Sequence, residues 1–315
     1  MTTAKTDAHA LSRSLLAPAG IDHEEVAALA RSALAEDLAY GPDITTLATI
    51  PPHATGTAHV SARAPGTIAG LGVAAAVVET LWDHGGDQKP DRAPMIEPLS
   101  RDGHRVSTGD AVLRIVGPSR LLLTAERTLL NLLSQLSGVA TETARWVDAM
   151  GSRSVSGAQP VVVRDTRKTV PGLRALQKYA VRCGGAANHR MGLGDAALIK
   201  DNHIIAAGSI TAAFRAVRAH SPAISIEVEC DTLAQVDEAL SAGADLILLD
   251  NMTISDLHAA VERARPFDVA LEASGGLTLD RAAELAATGV DYIAVGALTH
   301  SATALDLGMD LEQVR

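Results

Sequence analysis

Aromatic side chains are nearly absent. The 315 residues hold two Trp, three Tyr and two Phe, 2% of the chain. Such a chain offers few rings on which nucleobases could stack. Hydrophobic residues still make up 47%, so the core must be built from Ala, Leu, Val and Ile. Cysteine is scarce too. Cys183 and Cys230 are the only two, which leaves no disulfide framework and no CxxC pair. Positive charge is in the minority: 27 Lys and Arg against 37 Asp and Glu leave a formal net of −10. That balance argues against a general nucleic-acid binder and against a coat for anionic membranes, since both need a cationic face. The longest apolar run, Ala69 to Val78, is too short to span a bilayer. The N-terminus carries no apolar stretch of signal-peptide type. The expectation is a cytoplasmic protein with neither nucleic acid nor membrane as a partner.

What is there suggests about two domains at roughly 150 residues each. Residues 1–20 read as a loose leader. From Asp22 the spacing of Val26, Leu29, Ala30, Ala33 and Leu34 predicts a helix, with Asp22 and Glu25 in a capping pattern. Tyr40 to Pro52 reads as turns. Thr57–Ala69 and Asp110–Gly117 read as strands, with a helix over Val73–Leu81 and a polar loop at 83–94 between them. A long helix opens at Thr124, and a Gly/Ser-rich connection follows at 151–160.

Beyond it the texture changes. Short strands are expected at Val161–Val163, Ala197–Ile199, Ile226–Glu229, Leu246–Leu249, Val269–Ala273 and Tyr292–Val295. Each gap holds a helical stretch: Leu173–Arg182, Ser209–His220, Leu233–Ala242, Ile254–Ala264 and Leu279–Ala287. Alternating strands and helices imply a parallel sheet. Polar or glycine residues follow each strand: Arg164 to Lys168, Lys200 to His203, Glu229, Asp250-Asn251, Ser274-Gly275-Gly276 and Gly296. In an α/β barrel, as in an open doubly wound sheet, the site lies at those carboxyl ends. A barrel with six clear strands is the favoured reading.

Residues 164–200 contain eight cations and two acids, a net of +6 within a chain of −10. Arg174, Lys178 and Arg182 fall at i, i+4 and i+8 and read as a solvated helix face. Arg167, Lys168, Arg190 and Lys200 sit at strand ends or in a Gly-rich loop, where unpaired cations are costly unless an anion meets them. Ser274-Gly275-Gly276 and Gly296-Ala297 follow strands. They are either ordinary turns or backbone cradles for a phosphate. Glu229 and Asp250 either hold Mg²⁺ together with substrate phosphates or pair with Lys168 and Lys200. His189, beside Arg190, joins the binding candidates, and His203 does so more weakly. Zinc spacing, a GxSxG elbow and a dinucleotide fingerprint are all missing.

The segments RDTRKTVPGLRALQKYAVRCGGAANHRMGLGDAALIKDNH (164–203), IEVEC (226–230), LILLDN (246–251), LEASGG (271–276) and VDYIAVGALTHS (290–301) resemble the quinolinate phosphoribosyltransferase family, type II phosphoribosyltransferases. EDLAYGPDITT (36–46) and ERTLLNLLSQLSGVAT (126–141) fit the same family, and the likeness covers roughly 24–312. It implies an N-terminal α/β sandwich domain, residues 1–130, rejoined by the tail 299–315, and an incomplete parallel α/β barrel over 131–298. It implies a homodimer, or a multiple of dimers, whose active sites are shared, with Arg127 reaching the partner's site. Arg127, Arg167, His189, Arg190 and Lys200 match the family's cationic pocket for the quinolinate carboxylates. Lys168 matches a lysine that reaches phosphoribosyl diphosphate. Glu229 and Asp250 match the acids near the ribose and Mg²⁺–diphosphate, with Lys168, Lys200, Glu229 and Asp250 as the catalytic set. Ser274, Gly275, Gly276, Gly296, Ala297 and His300 match the 5′-phosphate end. The implied activity is phosphoribosyl transfer to quinolinate with loss of CO₂, in NAD biosynthesis. Ala39 departs from the glycine common in the family, and the connections at 83–94 and 154–160 are long for it.

Three rivals remain. A relative acting on nicotinate would need a pocket for one carboxylate. A carrier module over 101–117 would need a lysine at its hairpin tip, and that segment has none. A dead scaffold would not be expected to keep so many buried cations.

Overall fold

The computed structural model describes residues 6–84, 93–151 and 161–314. Along the chain run β1 (Thr6–Asp7), α1 (Ala8–Leu16), α2 (His23–Asp37), α3 (Ile44–Thr49), β2 (Thr55–Ala62), β3 (Gly66–Thr67), α4 (Leu71–Asp83), β4 (Met95–Pro98), β5 (Arg105–Val106), β6 (Ala111–Pro118) and α5 (Ser119–Gly151). There follow β7 (Val162–Arg164), α6 (Arg174–Cys183), β8 (Ala197–Ile199), α7 (Asp201–Ala207), α8 (Ile210–His220), β9 (Ile226–Cys230), α9 (Leu233–Ala242), β10 (Leu246–Asp250), α10 (Ile254–Ala264), β11 (Ala270–Ser274), α11 (Ala282–Ala287), β12 (Tyr292–Ala294), α12 (Ala297–His300) and β13 (Leu307–Val314). The chain forms two compact units. One comprises 1–142, 175–184 and 302–315, the other 143–174 and 185–301.

The first unit contains an antiparallel sheet of order β1-β4-β6-β2-β13. β13 runs its whole length against β2, from Leu307 opposite Ala62 to Val314 opposite Thr55. The tail thus supplies an edge strand. Val60, Leu113, Ile115 and Ile96 of this sheet belong to one apolar cluster with Leu34 of α2, Leu71 and Val78 of α4, and Leu129 and Leu133 of α5. α4 is buried on nearly all sides, which its sequence LGVAAAVVETLWD allows because only Glu79 and Asp83 are charged. The buried Glu79 is satisfied by the Ser12 hydroxyl and by His23 Nε2 at 3.2 Å.

That contact corrects one expectation. Residues 8–16 are a helix rather than a loose leader, held by buried Leu11 and Leu16 as well as Ser12. The turn-rich segment at 40–52 likewise contains α3, capped by Asp43, which accepts the Thr46 N–H at 3.0 Å. The single strand expected at Thr57–Ala69 is two, β2 and β3. The long helix starts at Ser119, five residues before the expected Thr124. The connection 154–160 and the 85–92 part of the other long loop lie outside the described residues.

The second unit contains a parallel sheet of order β7-β12-β11-β10-β9-β8. Its strands fall within a residue or two of the expected ones. The barrel is incomplete, with β7 and β8 at its two edges. Ile226, Val228 and Cys230 of β9 are fully buried on one face, while Glu227 and Glu229 alternate onto the other. Three of the helices between these strands start with side-chain caps: Ser209 on α8, Thr232 with Gln235 on α9, and Thr253 on α10. Among the described residues no helix is long and apolar enough to cross a membrane.

Lys178 also departs from expectation. On the expected solvent face of α6 it is fully buried, as is its neighbour Gln177. Arg182 on the same face is exposed, as expected, and Arg174 is half-buried. The helix is pinned at Tyr179, whose hydroxyl donates to Asp102 at 2.6 Å.

Within α5, Gly138 lies against the backbone of Thr303 and Ala304, and an added Cβ would collide with the Thr303 carbonyl. The nearby Leu305 N–H donates to the Ser134 carbonyl at 2.9 Å. Gly138→Ala should therefore destabilise the protein by about 1–3 kcal/mol despite the helix-favouring methyl. A urea unfolding midpoint checks this, and an unchanged or raised midpoint would contradict the packing.

Candidate active site

A cavity of about 320 Å³ opens at the carboxyl ends of the parallel strands. Its walls are Thr166, Arg167, Lys168, His189, Arg190, Leu198, Lys200, Glu229, Leu248, Asp250, Ser274 and Ala294. Seven of the residues expected from the sequence meet there with Ser274: Arg167, Lys168, His189, Arg190, Lys200, Glu229 and Asp250. Thr166, Leu198, Leu248 and Ala294 also line the cavity and were not singled out.

The cationic end carries an electrostatic tension. Burial, and then the positive charge of Arg167, hold Arg190 below an arginine's usual range. Arg190 Nη1 donates to the Ala196 carbonyl at 3.1 Å. Arg167 Nε is buried and has no hydrogen-bond partner among the described residues. Two guanidinium groups near one another, with a buried N–H unspent, form a seat for an anion.

Lys200 Nζ, also at the cavity wall, donates to Glu229 at 2.7 Å. The pairing alternative raised by the sequence is therefore met for Lys200. Asp250 accepts from the neighbouring Asn251 Nδ2 at 2.6 Å. Asn251 has a positive φ of 55°, which asparagine tolerates. Its N–H donates to the Ser274 carbonyl at 2.9 Å, tying the β10 and β11 loops together. Gly275, with φ +85°, lies so close to Asn251 that a side chain there would strike it.

Lys168 lies beside the turn that follows β12. Its carbonyl accepts from Thr299 Oγ1 at 2.9 Å. A Cβ on Gly296 would stand 3.0 Å from the Lys168 stem and 3.5 Å from His300 Nε2, so these three residues are neighbours. Gly275, Gly276, Gly296, Ala297 and His300 do not themselves form the cavity wall. The helix expected directly after Gly276 starts later: a 3-10 turn, Leu279–Arg281, precedes α11. Arg127 is exposed on α5 in the first unit and does not line this cavity. His203 Nδ1 accepts the Lys200 N–H at 2.9 Å, which gives it a helix-capping role. Burial pushes both thiols up to about 12, so neither Cys183 nor Cys230 is poised as a nucleophile.

Beneath the cavity lies a charged layer that the sequence reading missed. His189 Nε2 stands 2.7 Å from Glu227 and 3.6 Å from Glu272. Arg164 Nη1 pairs with Glu272 at 2.5 Å and stacks over the Tyr292 ring, 4.6 Å from its centroid. Fully buried Asp165 accepts from Asn188 Nδ2 at 2.6 Å and from the His189 N–H at 2.9 Å. The signal was present in IEVEC and LEAS, where an acid precedes each site residue by two and so shares its face.

A ring of parallel strands with repelling guanidinium groups facing carboxylates at its mouth defines an enzyme for a small, multiply anionic substrate. The comparisons make that specific. Residues 43–137 match the N-terminal domain of quinolinate phosphoribosyl transferase, and residues 139–310 match its C-terminal domain. The nicotinate-nucleotide pyrophosphorylase (carboxylating) of Mycobacterium leprae is 50% identical over 283 residues, 89% of this chain and 95% of its own. The human protein of that name is 37% identical over 289 residues, 91% of each chain. The solved nicotinate-nucleotide pyrophosphorylase of Francisella tularensis superposes with a TM-score of 0.84 at 38% identity, covering 93% of this chain and 98% of that one. The chain belongs to the quinolinate phosphoribosyl transferase family, and with it to the phosphoribosyltransferases.

Burial, then the charge of Glu227, push the Glu272 carboxyl up to about 7. Its folded value lies above its unfolded one, so the native state holds a proton that the unfolded chain releases. Stability from this group is present below the ordinary glutamate range and falls as pH rises toward about 7. Glu272→Gln, neutral at every pH, should flatten that part of the slope. Urea midpoints for both proteins at about pH 5 and about pH 8 measure it, and parallel slopes would refute the shift.

Proposed function

We propose that this cavity transfers the phosphoribosyl group of phosphoribosyl diphosphate to the ring nitrogen of quinolinate and releases CO₂, giving nicotinate mononucleotide and diphosphate. The observation that carries the reading is the Arg167–Arg190 pair in the cavity wall, with a buried Arg167 N–H unspent and a mutual repulsion that a bound anion would relieve. Quinolinate brings two carboxylates on one planar ring, and guanidinium forks match carboxylates in geometry as well as charge. Lys200 adds a third cation to that end. Lys168, with Ser274, Gly275, Gly276, Gly296, Ala297 and His300, is the end we assign to the 5′-phosphate and diphosphate.

We assign Glu229 and Asp250, which both line the cavity, to the ribose between the two ends. As the diphosphate leaves, the ribose anomeric carbon gains oxocarbenium character, and nearby carboxylates stabilise it. The quinolinate nitrogen bonds to that carbon and becomes cationic. The cationic ring then accepts the electron pair left at C2 when CO₂ departs, and a proton takes its place. The protein needs no nucleophile of its own, and its part is orientation and charge. The oxygen donors of Glu229 and Asp250 suit Mg²⁺, a hard cation that keeps waters and shares substrate phosphates. Mg²⁺ would neutralise the charge that develops on the leaving diphosphate.

We also infer a cytoplasmic homodimer. Both cysteines are free. Large apolar side chains lie open on each unit, Tyr40 and Ile44 on one, Leu193 and Ile205 on the other. Such residues favour burial against a second copy. In that dimer the exposed Arg127 serves the partner's cavity.

The direct test mixes protein, quinolinate, phosphoribosyl diphosphate and Mg²⁺, with nicotinate as the parallel substrate. Equal CO₂ and nicotinate mononucleotide from quinolinate alone is expected. Product from nicotinate only would move the protein to a non-decarboxylating activity. Arg190→Ala should raise the KM for quinolinate by roughly tenfold or more, as expected for a lost charge-assisted contact. Mixed Arg127→Ala and Lys200→Ala subunits should regain part of the activity that each homodimer lacks. Confirmed heterodimers that stay inactive would confine Arg127 to its own subunit.

A further inference from the structure

His189 lines the cavity, yet both its ring nitrogens face the protein. Nδ1 accepts the backbone N–H of Arg190 at 2.7 Å. A backbone N–H can only donate, so Nδ1 carries the lone pair and the ring proton sits on Nε2. Nε2–H then donates to Glu227 at 2.7 Å. The imidazole is a neutral link between a buried acid and the backbone of a cavity arginine. Turning the ring over would break both bonds.

Glu227 is held for this task. It is 4% exposed, on the interior face of β9, two residues before Glu229. Beside it Glu272, at 0% exposure, is committed to Arg164. The second oxygens of both acids, Oε1 in each, are buried and have no hydrogen-bond partner among the described residues. The carboxylate of Glu227 also acts directly on Arg190, opposing the repulsion from Arg167. The loop is fixed from its other side by Asp165, through the His189 N–H and the Asn188 side chain.

We propose that Glu227 is a positioning residue for the quinolinate end of the cavity, acting through His189 to set the backbone and guanidinium of Arg190, with Glu272 and Arg164 as its brace. The proposal rests on the functional reading above. It assigns His189 a different part from a cation for the carboxylates. The ring orients Arg190 and adds no fourth positive charge beside Arg167, Arg190 and Lys200.

Two measurements test it. In protein labelled with ¹⁵N-histidine, the His189 resonances are identified by their loss in His189→Gln. Wild type should show the Nε2–H form with Nδ1 as acceptor, and Glu227→Ala should lose that fixed form. A wild-type ring protonated at Nδ1, or a metal ion held by Nε2 in the His189–Glu227–Glu272 group and detected by elemental analysis, overturns the proposal. This readout needs no turnover, so it stands even where the assay for the reaction itself fails. In the assay, Glu227→Ala should raise the KM for quinolinate about tenfold and leave the KM for phosphoribosyl diphosphate within about twofold. Glu227→Gln keeps an acceptor for Nε2–H and should restore most of the loss. Equal shifts in both KM values, no shift in either, or no rescue by glutamine would reduce Glu227 to a residue of the core. Where Glu227→Ala fails to fold, the wild-type spectrum and Glu227→Gln kinetics decide alone.

Discussion

Carboxylates placed inside a ring of parallel strands must each find a positive or hydrogen-bonding partner, because an ionised group buried alone costs several kcal/mol. The second unit is arranged around that requirement. Period-two alternation puts Glu227, Glu229 and Glu272 on the interior face. Each is answered from the same stretch of chain: Glu272 by Arg164, Glu227 by His189 and Glu229 by Lys200. The concentration of positive charge in residues 164–200, inside an acidic protein, is thus partly an internal counter-charge. What is left after the acids are paired, chiefly Arg167, Lys168 and Arg190, is what the cavity can offer to a substrate.

The incomplete barrel is the geometric side of the same arrangement. Six strands leave β7 and β8 each with a strand neighbour on one side alone, and an open edge of unpaired backbone groups needs cover. At β7 the cover is the segment around Ala187, which bridges to Arg164 and takes the Val163 carbonyl at 2.9 Å. That segment continues directly into His189 and Arg190. A closed eight-stranded ring would fill this place with a strand and its alternating side chains. Leaving it open lets a loop present two consecutive residues to the cavity, one linking downward to the acids and one aimed at the ligand.

The sequence reveals the second unit more fully than the first, for a physical reason. Parallel strands read as short apolar runs with charge or glycine at their ends, and those ends converge whatever the details of packing. Hence Arg167, Lys168, Arg190, Lys200, Glu229 and Asp250 could be grouped before any coordinates. Features that depend on contacts distant in sequence are less legible. α1 is a helix because Leu11, Leu16 and Ser12 meet partners that include Glu79, 67 residues on from Ser12. Lys178 shows a solvent-like spacing with Arg174 and Arg182, yet tertiary packing buries it. Glu227 and Glu272 stand two residues before Glu229 and Ser274 and so share their face, but they lie one layer below the strand ends, where the convergence of terminal residues does not mark them.

A cationic pocket is not improved by every added cation. On the proposed reaction, quinolinate binds with two carboxylates, but only one persists in the product. Strong ion pairs to the departing carboxylate would stabilise the ground state more than the transition state, where its charge is passing into the ring, and so would slow the loss of CO₂. A neutral histidine in contact with the Arg190 backbone answers that difficulty. It fixes the arginine without adding to the charge that faces the substrate. The buried acids below keep the ring proton on Nε2 and directed away from the cavity. The same layer that offsets the cost of interior carboxylates therefore adds no further positive charge to the pocket.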